Sequence, residues 1–128
     1  MLYCLDTSVC VHLIRGRAPA LDLPPAADCR ISVITAAELE VGLLKSSRPT
    51  EQRRVVRAFL SLFQVLPWET SAVSHYGEIR ADLERRGLAI GPLDMLVAAH
   101  ARSLGATLVT GNSDEFRRVK GLKVLAWE

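Results

Sequence analysis

Five acidic residues sit where the chain changes character, at junctions between short apolar runs and the segments that follow: Asp6, Glu38, Asp94, Asp114 and Glu115. Carboxylates gathered on one crevice repel each other, and some take up protons unless a cation joins them. An oxygen-only set suits Mg²⁺ or Mn²⁺, hard ions that retain several waters for substrate oxygens to replace. One or two such ions activate a water and clamp a phosphate for in-line attack, so the chemistry available to this set is phosphodiester hydrolysis. Each acid also has an ordinary explanation. At a helix N-terminus a carboxylate caps the backbone and meets the macrodipole for about 0.3–1 kcal/mol. Singly the acids read as caps, and only their shared context argues for a site.

The elements that must position them follow from the hydrophobic pattern. Met1 to Leu5 reads as a buried strand running through Asp6-Thr7-Ser8 into a helix that carries Val9, Val11, Leu13 and Ile14. Pro19, Pro24 and Pro25 predict a loop between Ala18 and Ala27. Arg30 to Ile34 reads as a second strand. Thr35 then opens a helix, and Thr35 with Glu38 has the S/T-x-x-E spacing of a capping box ahead of Leu39, Val41, Leu43 and Leu44. Ser46 to Thr50, with Pro49, ends that helix. Glu51 to Phe63 predicts a helix with its arginines opposite an apolar stripe, Gln64 to Trp68 a short strand, and Ser71 to Arg86 a helix closed by Gly87. Gly91-Pro92 starts a helix that runs through Asp94 to about Ser103, ended by Gly105. Ala106 to Thr110 is a strand, Gly111-Asn112 a turn, Ser113 to Val119 a short helix and Leu122 to Trp127 a last strand.

Strands alternating with helices predict an α/β fold, a mainly parallel sheet covered on both faces. In such a fold the carboxyl ends of the strands and the amino ends of the helices share one rim, where ligands bind. Asp6 leaves the first strand, while Glu38, Asp94, Asp114 and Glu115 fall in the first turns of later helices, so all should face that rim. Asp6 leaves a buried strand, where an unpaired charge is costly and a cation relieves the cost.

The totals bound the rest. At 128 residues the chain reads as one domain over 1–128, and 49% hydrophobic with 23% charged residues excludes disorder. A net charge of +2 does not by itself identify a nucleic-acid partner. The arginines do group locally, as Arg15 and Arg17, as Arg53, Arg54 and Arg57, as Arg85 and Arg86, and as Arg117, Arg118 and Lys120, either a solvated surface or phosphate contacts around a groove. Cys4, Cys10 and Cys29 lack a CxxC spacing and read as reduced thiols. There is no cleavable leader pattern and no run of apolar residues long enough to span a membrane, so a cytoplasmic location is expected. His12, His75 and His100 lack zinc spacing and read as packed or surface groups, as Trp68 and Trp127 read as packing.

The residues around the acids resemble the motifs of PIN domains. Leu5-Asp6-Thr7-Ser8 resembles the first motif and Ile34-Thr35-Ala36-Ala37-Glu38-Leu39 with Gly42 the second. Gly91-Pro92-Leu93-Asp94 with Ala98, Ala99 and Ala101 resembles the third, and Val109-Thr110-Gly111-Asn112 with Glu115-Phe116 the fourth. Four motifs in family order resemble most the VapC toxins of bacterial VapBC toxin–antitoxin pairs. That resemblance implies a three-layer α/β/α sandwich and a Mg²⁺- or Mn²⁺-dependent endoribonuclease that cuts a structured RNA, a tRNA or rRNA loop, to arrest translation. It also implies a homodimer held inactive by a VapB-type antitoxin. By the same resemblance Asp6 and Asp94 hold metal and Glu38 binds metal or its water and helps activate the nucleophile. Thr7, Ser8, Thr110 and Asn112 support the acids. Relatives often have an acid where this chain has Asn112, so the fourth acid is Glu115, with Asp114 the alternative, and the number of ions stays open between one and two.

Two other readings stand beside this one. A phosphoacceptor receiver domain also gathers acids at a strand edge, but it wants a second acid beside Asp6 and a lysine after a late strand, where this chain has Thr7 and Thr110-Gly111-Asn112. A housekeeping RNA-processing nuclease would use the same acids without an antitoxin.

Overall fold

The computed structural model describes residues 1–16 and 23–127. Its core is a five-stranded sheet in the order β3-β2-β1-β4-β5, formed by β1 (Tyr3–Leu5), β2 (Cys29–Ser32), β3 (Gln64–Leu66), β4 (Thr107–Thr110) and β5 (Lys123–Ala126). All four pairings are parallel, with Tyr3 against Cys29 on one side of β1 and against Thr107 on the other. The sheet is thus wholly parallel, where a mainly parallel one was expected. Helices α1 (Thr7–Ile14), α2 (Val33–Leu44), α3 (Pro49–Leu60), α4 (Val73–Arg86), α5 (Pro92–Ser103) and the single turn α6 (Ser113–Phe116) cover its two faces.

Alternation along each strand divides the core. Cys4 and Leu108 point to one face, where Ile79 and Leu83 of α4, Met95 and Ala98 of α5, and Phe116 pack on them. Leu5, Ile31 and Val109 point to the other, against Val9 and Cys10 of α1, Leu39 of α2 and Val56 of α3. Burial on both faces explains why these strands read as short continuous apolar runs instead of alternating ones. The three cysteines are buried and unbonded, and burial pushes the Cys4 thiol up to about 12, so it stays protonated and inert.

Several boundaries differ from the sequence reading. Strand β2 ends at Ser32, not Ile34, and Ser32 is the N-cap of α2, its Oγ accepting from the Ile34 amide at 3.1 Å. The Thr35–Glu38 capping box therefore does not form: Thr35 lies inside the helix, fully buried, with its hydroxyl unpartnered among the described residues. Glu38 consequently sits in the second turn of α2, not the first. Pro49 begins α3 instead of only ending the helix before it, since proline suits the first helical position, where no amide bond is lost. The last helix closes at Phe116, before Val119. Gly87 caps α4 as expected, with the left-handed φ of +68° that a side chain resists. Of the expected proline loop, residues 18–22 lie outside the described residues, and Ala26–Asp28 forms a 3₁₀ turn. Among the described residues no helix is long and apolar enough to cross a membrane.

Candidate active site

The strand order reverses between β1 and β4, which are adjacent in the sheet but far apart in sequence. That switch point opens a crevice at the carboxyl ends of the two strands. Asp6 follows β1 and Thr110 ends β4, so both stand on its floor. The Asp6 amide donates to Val109 O at 3.1 Å, continuing the ladder up to the acid itself.

Asp6 is only 4% exposed and fully hydrogen-bonded. Its Oδ1 accepts from Ser8 Oγ at 2.6 Å and from the Val9 amide at 3.0 Å, the second of these being the N-cap bond of α1. Its Oδ2 accepts a short bond from Thr110 Oγ1, which in turn accepts from the Asn112 amide at 2.9 Å. Burial raises the Asp6 pKa above the ordinary aspartate value, and the bonds from Ser8, Thr110 and Val9 work against that rise. Asp6 is thus a cap and also the most tightly braced acid of the group.

Glu38 and Asp94 have no capping role. Thr7 Oγ1 reaches across from α1 and donates to Glu38 Oε1 at 2.7 Å, leaving Oε2 open. Asp94, at the third position of α5, makes no capping bond and has no hydrogen-bond donor among the described residues, although it is half-buried. Its carboxyl is pushed up to about 6, first by desolvation, then by the charges of Glu38, Asp6 and Glu115. Asp94 therefore feels the other three acids across the crevice. Asp114 is not among the groups acting on Asp94. Gly91 keeps room for the carboxylate, since a Cβ there would come within 3.3 Å of Asp94 Oδ2.

The charge pattern fits a hard cation, because every donor is oxygen and the mutual repulsion is what a positive ion would relieve. The fit is an open one: among the described residues no three acid, His or Cys groups are gathered tightly enough to enclose an ion as they stand. Beside the acids lies a polar hollow of about 250 Å³ lined by Gly111, Asn112, Ser113, Asp114 and Glu115. A larger cavity of about 410 Å³ lies elsewhere, among Glu78, Asp82, Arg102 and Lys120, whose charges largely pair with one another. Of the acids, Asp114 and Glu115 line the smaller, open hollow, while Asp6 lies buried.

A model of the PIN domain matches residues 3–122. The chain is 38% identical over 129 residues, 98% of its own length and 97% of the relative's, to the tRNA(fMet)-specific endonuclease VapC of Shigella flexneri. It belongs to the PIN-domain family of VapC ribonucleases. The solved structure of a DNA-bound VapBC from Salmonella typhimurium contains a chain of the same fold, with a TM-score of 0.89 at 36% identity and complete coverage of both chains. VapBC2 from Rickettsia felis, bound to a DNA fragment from its promoter, gives 0.87 at 32% identity, also with complete coverage. Membership of the VapC family sets aside the receiver reading.

For a VapC-family chain, the sequence placed Asp6, Glu38, Asp94 and Glu115 on one rim, and the structure brings them within electrostatic reach. Asn112 acts through its backbone amide on Thr110, with no capping bond from its side chain. The sequence reading gives His100 as a packed or surface histidine and Ser32 only a place within a strand, so their pairing is not anticipated. His100 Nδ1 lies 2.7 Å from Ser32 Oγ, both residues 4% exposed, a pairing across 68 residues that no local pattern announces. His12 packs edge-on against Trp127 at 5.0 Å, and His75 accepts from Arg102 Nε at 2.8 Å, as packed histidines do.

Proposed function

We propose that this chain, as a single PIN domain, is the toxin of a toxin–antitoxin pair, an endoribonuclease that uses Mg²⁺ or Mn²⁺ on the rim formed by Asp6, Glu38, Asp94 and Glu115. The observation that carries the proposal is Asp94: a half-buried carboxylate with no hydrogen-bond donor among the described residues, whose pKa is raised first by burial and then by three neighbouring acids. Nothing about capping or packing requires that arrangement, whereas cation binding does.

Asp6 and Asp94 would hold the ion directly, with Glu115 at the outer edge. Such an ion, when bound, would offset the negative charge of the scissile phosphate and lower the pKa of the attacking water. The protein's own groups do the remainder. Ser8 and Thr110 hold both oxygens of Asp6 as acceptors, which favours its ionised form against burial and fixes its direction. Thr7 fixes Glu38 by Oε1, which leaves Oε2 free to accept a proton taken from water. The open rim admits a folded RNA loop.

Structured RNA, with tRNA foremost, is the substrate supported by the tRNA(fMet)-specific activity in the name of the Shigella flexneri relative. A VapB-type antitoxin is the partner supported by the VapBC complexes. The groove between α1, α2 and α3, lined by Val11, Ile14, Leu39 and Val56, reaches Thr7 and Glu38 at one end and would let an antitoxin segment end at the acids. A homodimer in the cytoplasm completes the reading.

Incubating the purified protein with total tRNA tests this. Cleavage at a defined site that stops with EDTA and returns with Mn²⁺ or Mg²⁺ is expected; cleavage indifferent to EDTA would refute it. Induced expression without antitoxin should arrest growth, and mapping the new RNA ends names the target.

A further inference from the structure

Helices α2 and α5 pack against each other. Ser32 at the head of α2 bonds His100 on α5. Six residues away along the same two helices stand Glu38 on α2 and Asp94 on α5. Six residues correspond to about 9 Å of helix in each case.

The chemistry at the Ser32 end is specific. As N-cap, Ser32 Oγ already accepts from the Ile34 amide at 3.1 Å. Its own proton needs an acceptor in a buried setting, and His100 Nδ1 at 2.7 Å supplies one when the ring carries its proton on Nε2. Capping alone would use only the first of these bonds. The second ties the two acid-bearing helices together.

We propose that His100 is a positioning residue for the Glu38–Asp94 pair: by accepting from Ser32 it holds α2 and α5 at a separation that lets the two acids share one cation. The proposal rests on the metal-site reading above. It makes His100 part of the site without touching metal or RNA.

Two substitutions and a stability cycle test it. His100→Leu removes the acceptor; His100→Asn places an amide oxygen close to where Nδ1 stood. In folded protein, His100→Leu should weaken Mn²⁺ binding, read by calorimetry, about tenfold, as removal of an indirect partner of a metal site does. His100→Asn should recover affinity to within about threefold of wild type. In EDTA, His100→Leu should lower the Tm less in a Glu38→Gln background than in wild type, because the Glu38 charge that acts on Asp94 is gone. Equal Tm losses in the two backgrounds would mark a merely structural role and overturn the proposal. So would wild-type Mn²⁺ affinity in folded His100→Leu, or affinity in His100→Asn as poor as in His100→Leu. Where His100→Leu does not fold, Ser32→Ala is measured in its place against the same outcomes. Wild-type Mn²⁺ binding by Asp94→Asn would instead show that the metal-site reading itself fails, and the proposal with it.

Discussion

Thr7 Oγ1 and Glu38 Oε1 are 2.7 Å apart, a hydrogen bond from the first turn of α1 to the second turn of α2 that leaves the other Glu38 oxygen free. A hydrogen bond to a charged acceptor is worth about 1.5–3 kcal/mol when its partner is lost in a part-buried setting. Thr7→Val keeps the shape and removes the donor, so kcat for RNA cleavage should fall about tenfold with little change in KM. Thr7→Ser should retain most of the activity. An unchanged kcat in Thr7→Val would show that Glu38 needs no such fixing.

Asp94 gives the pH dependence. Its pKa is raised from 3.8 to about 6, so below pH 3.8 the folded and unfolded chains are both protonated there, while between those values only the folded chain holds the proton. The contribution to stability is therefore fully present at low pH and is lost as pH rises through about 6. In EDTA, the Tm difference between wild type and Asp94→Asn should shift against wild type from pH 4 to pH 7. Metal reverses the sign because it binds the ionised form, and Mn²⁺ affinity should climb with pH and level off above about pH 6.5. Thermal melts with and without Mn²⁺ across that range read both effects.

Glu115 and Asp114 stand side by side on α6, yet only Glu115 acts electrostatically on Asp94. Glu115→Gln should raise the Mg²⁺ concentration for half-maximal cleavage roughly threefold to tenfold, and Asp114→Asn should leave it within about twofold, since Asp114 is not among the groups acting on Asp94. The reverse order would exchange their roles.

Gly91 is the remaining close approach. A methyl group there would meet Asp94 Oδ2 at 3.3 Å and push the carboxylate by a few tenths of an ångström. Gly91→Ala should fold normally, because the backbone at Gly91 has an ordinary negative φ, and should lose about threefold to tenfold in metal affinity. Wild-type metal affinity in a normally folded Gly91→Ala variant would contradict that account.

Much of this was legible in the sequence because it depends on short-range pattern. Leu5-Asp6 and Val109-Thr110 each show an apolar run stopping at a polar residue, and that alone located the rim. The alternation of strands and helices implied a parallel sheet whose strand ends share that rim, but not the order of its strands. What was not legible depends on distance along the chain. Ser32 and Thr35 are both good N-caps, and the choice between them is made by packing, which buries Thr35 inside α2 and leaves Ser32 at the strand end. That shift of three residues moves Glu38 out of a capping position. The Thr7–Glu38, Thr110–Asp6 and Ser32–His100 bonds span 31, 104 and 68 residues, so only the folded chain reveals them.

The central claim is that Asp6 is an acid of the site as well as the cap of α1. Asparagine caps a helix as well as aspartate does, and at a buried position it avoids the cost of an unmatched charge. The decisive measurement is RNA cleavage by purified Asp6→Asn protein in saturating Mn²⁺, with circular dichroism and a thermal melt on the same sample. A wild-type spectrum, a Tm at or above that of the metal-free wild type and a loss of cleavage of at least about a hundredfold are expected. Wild-type cleavage by the folded variant would contradict the assignment of the site.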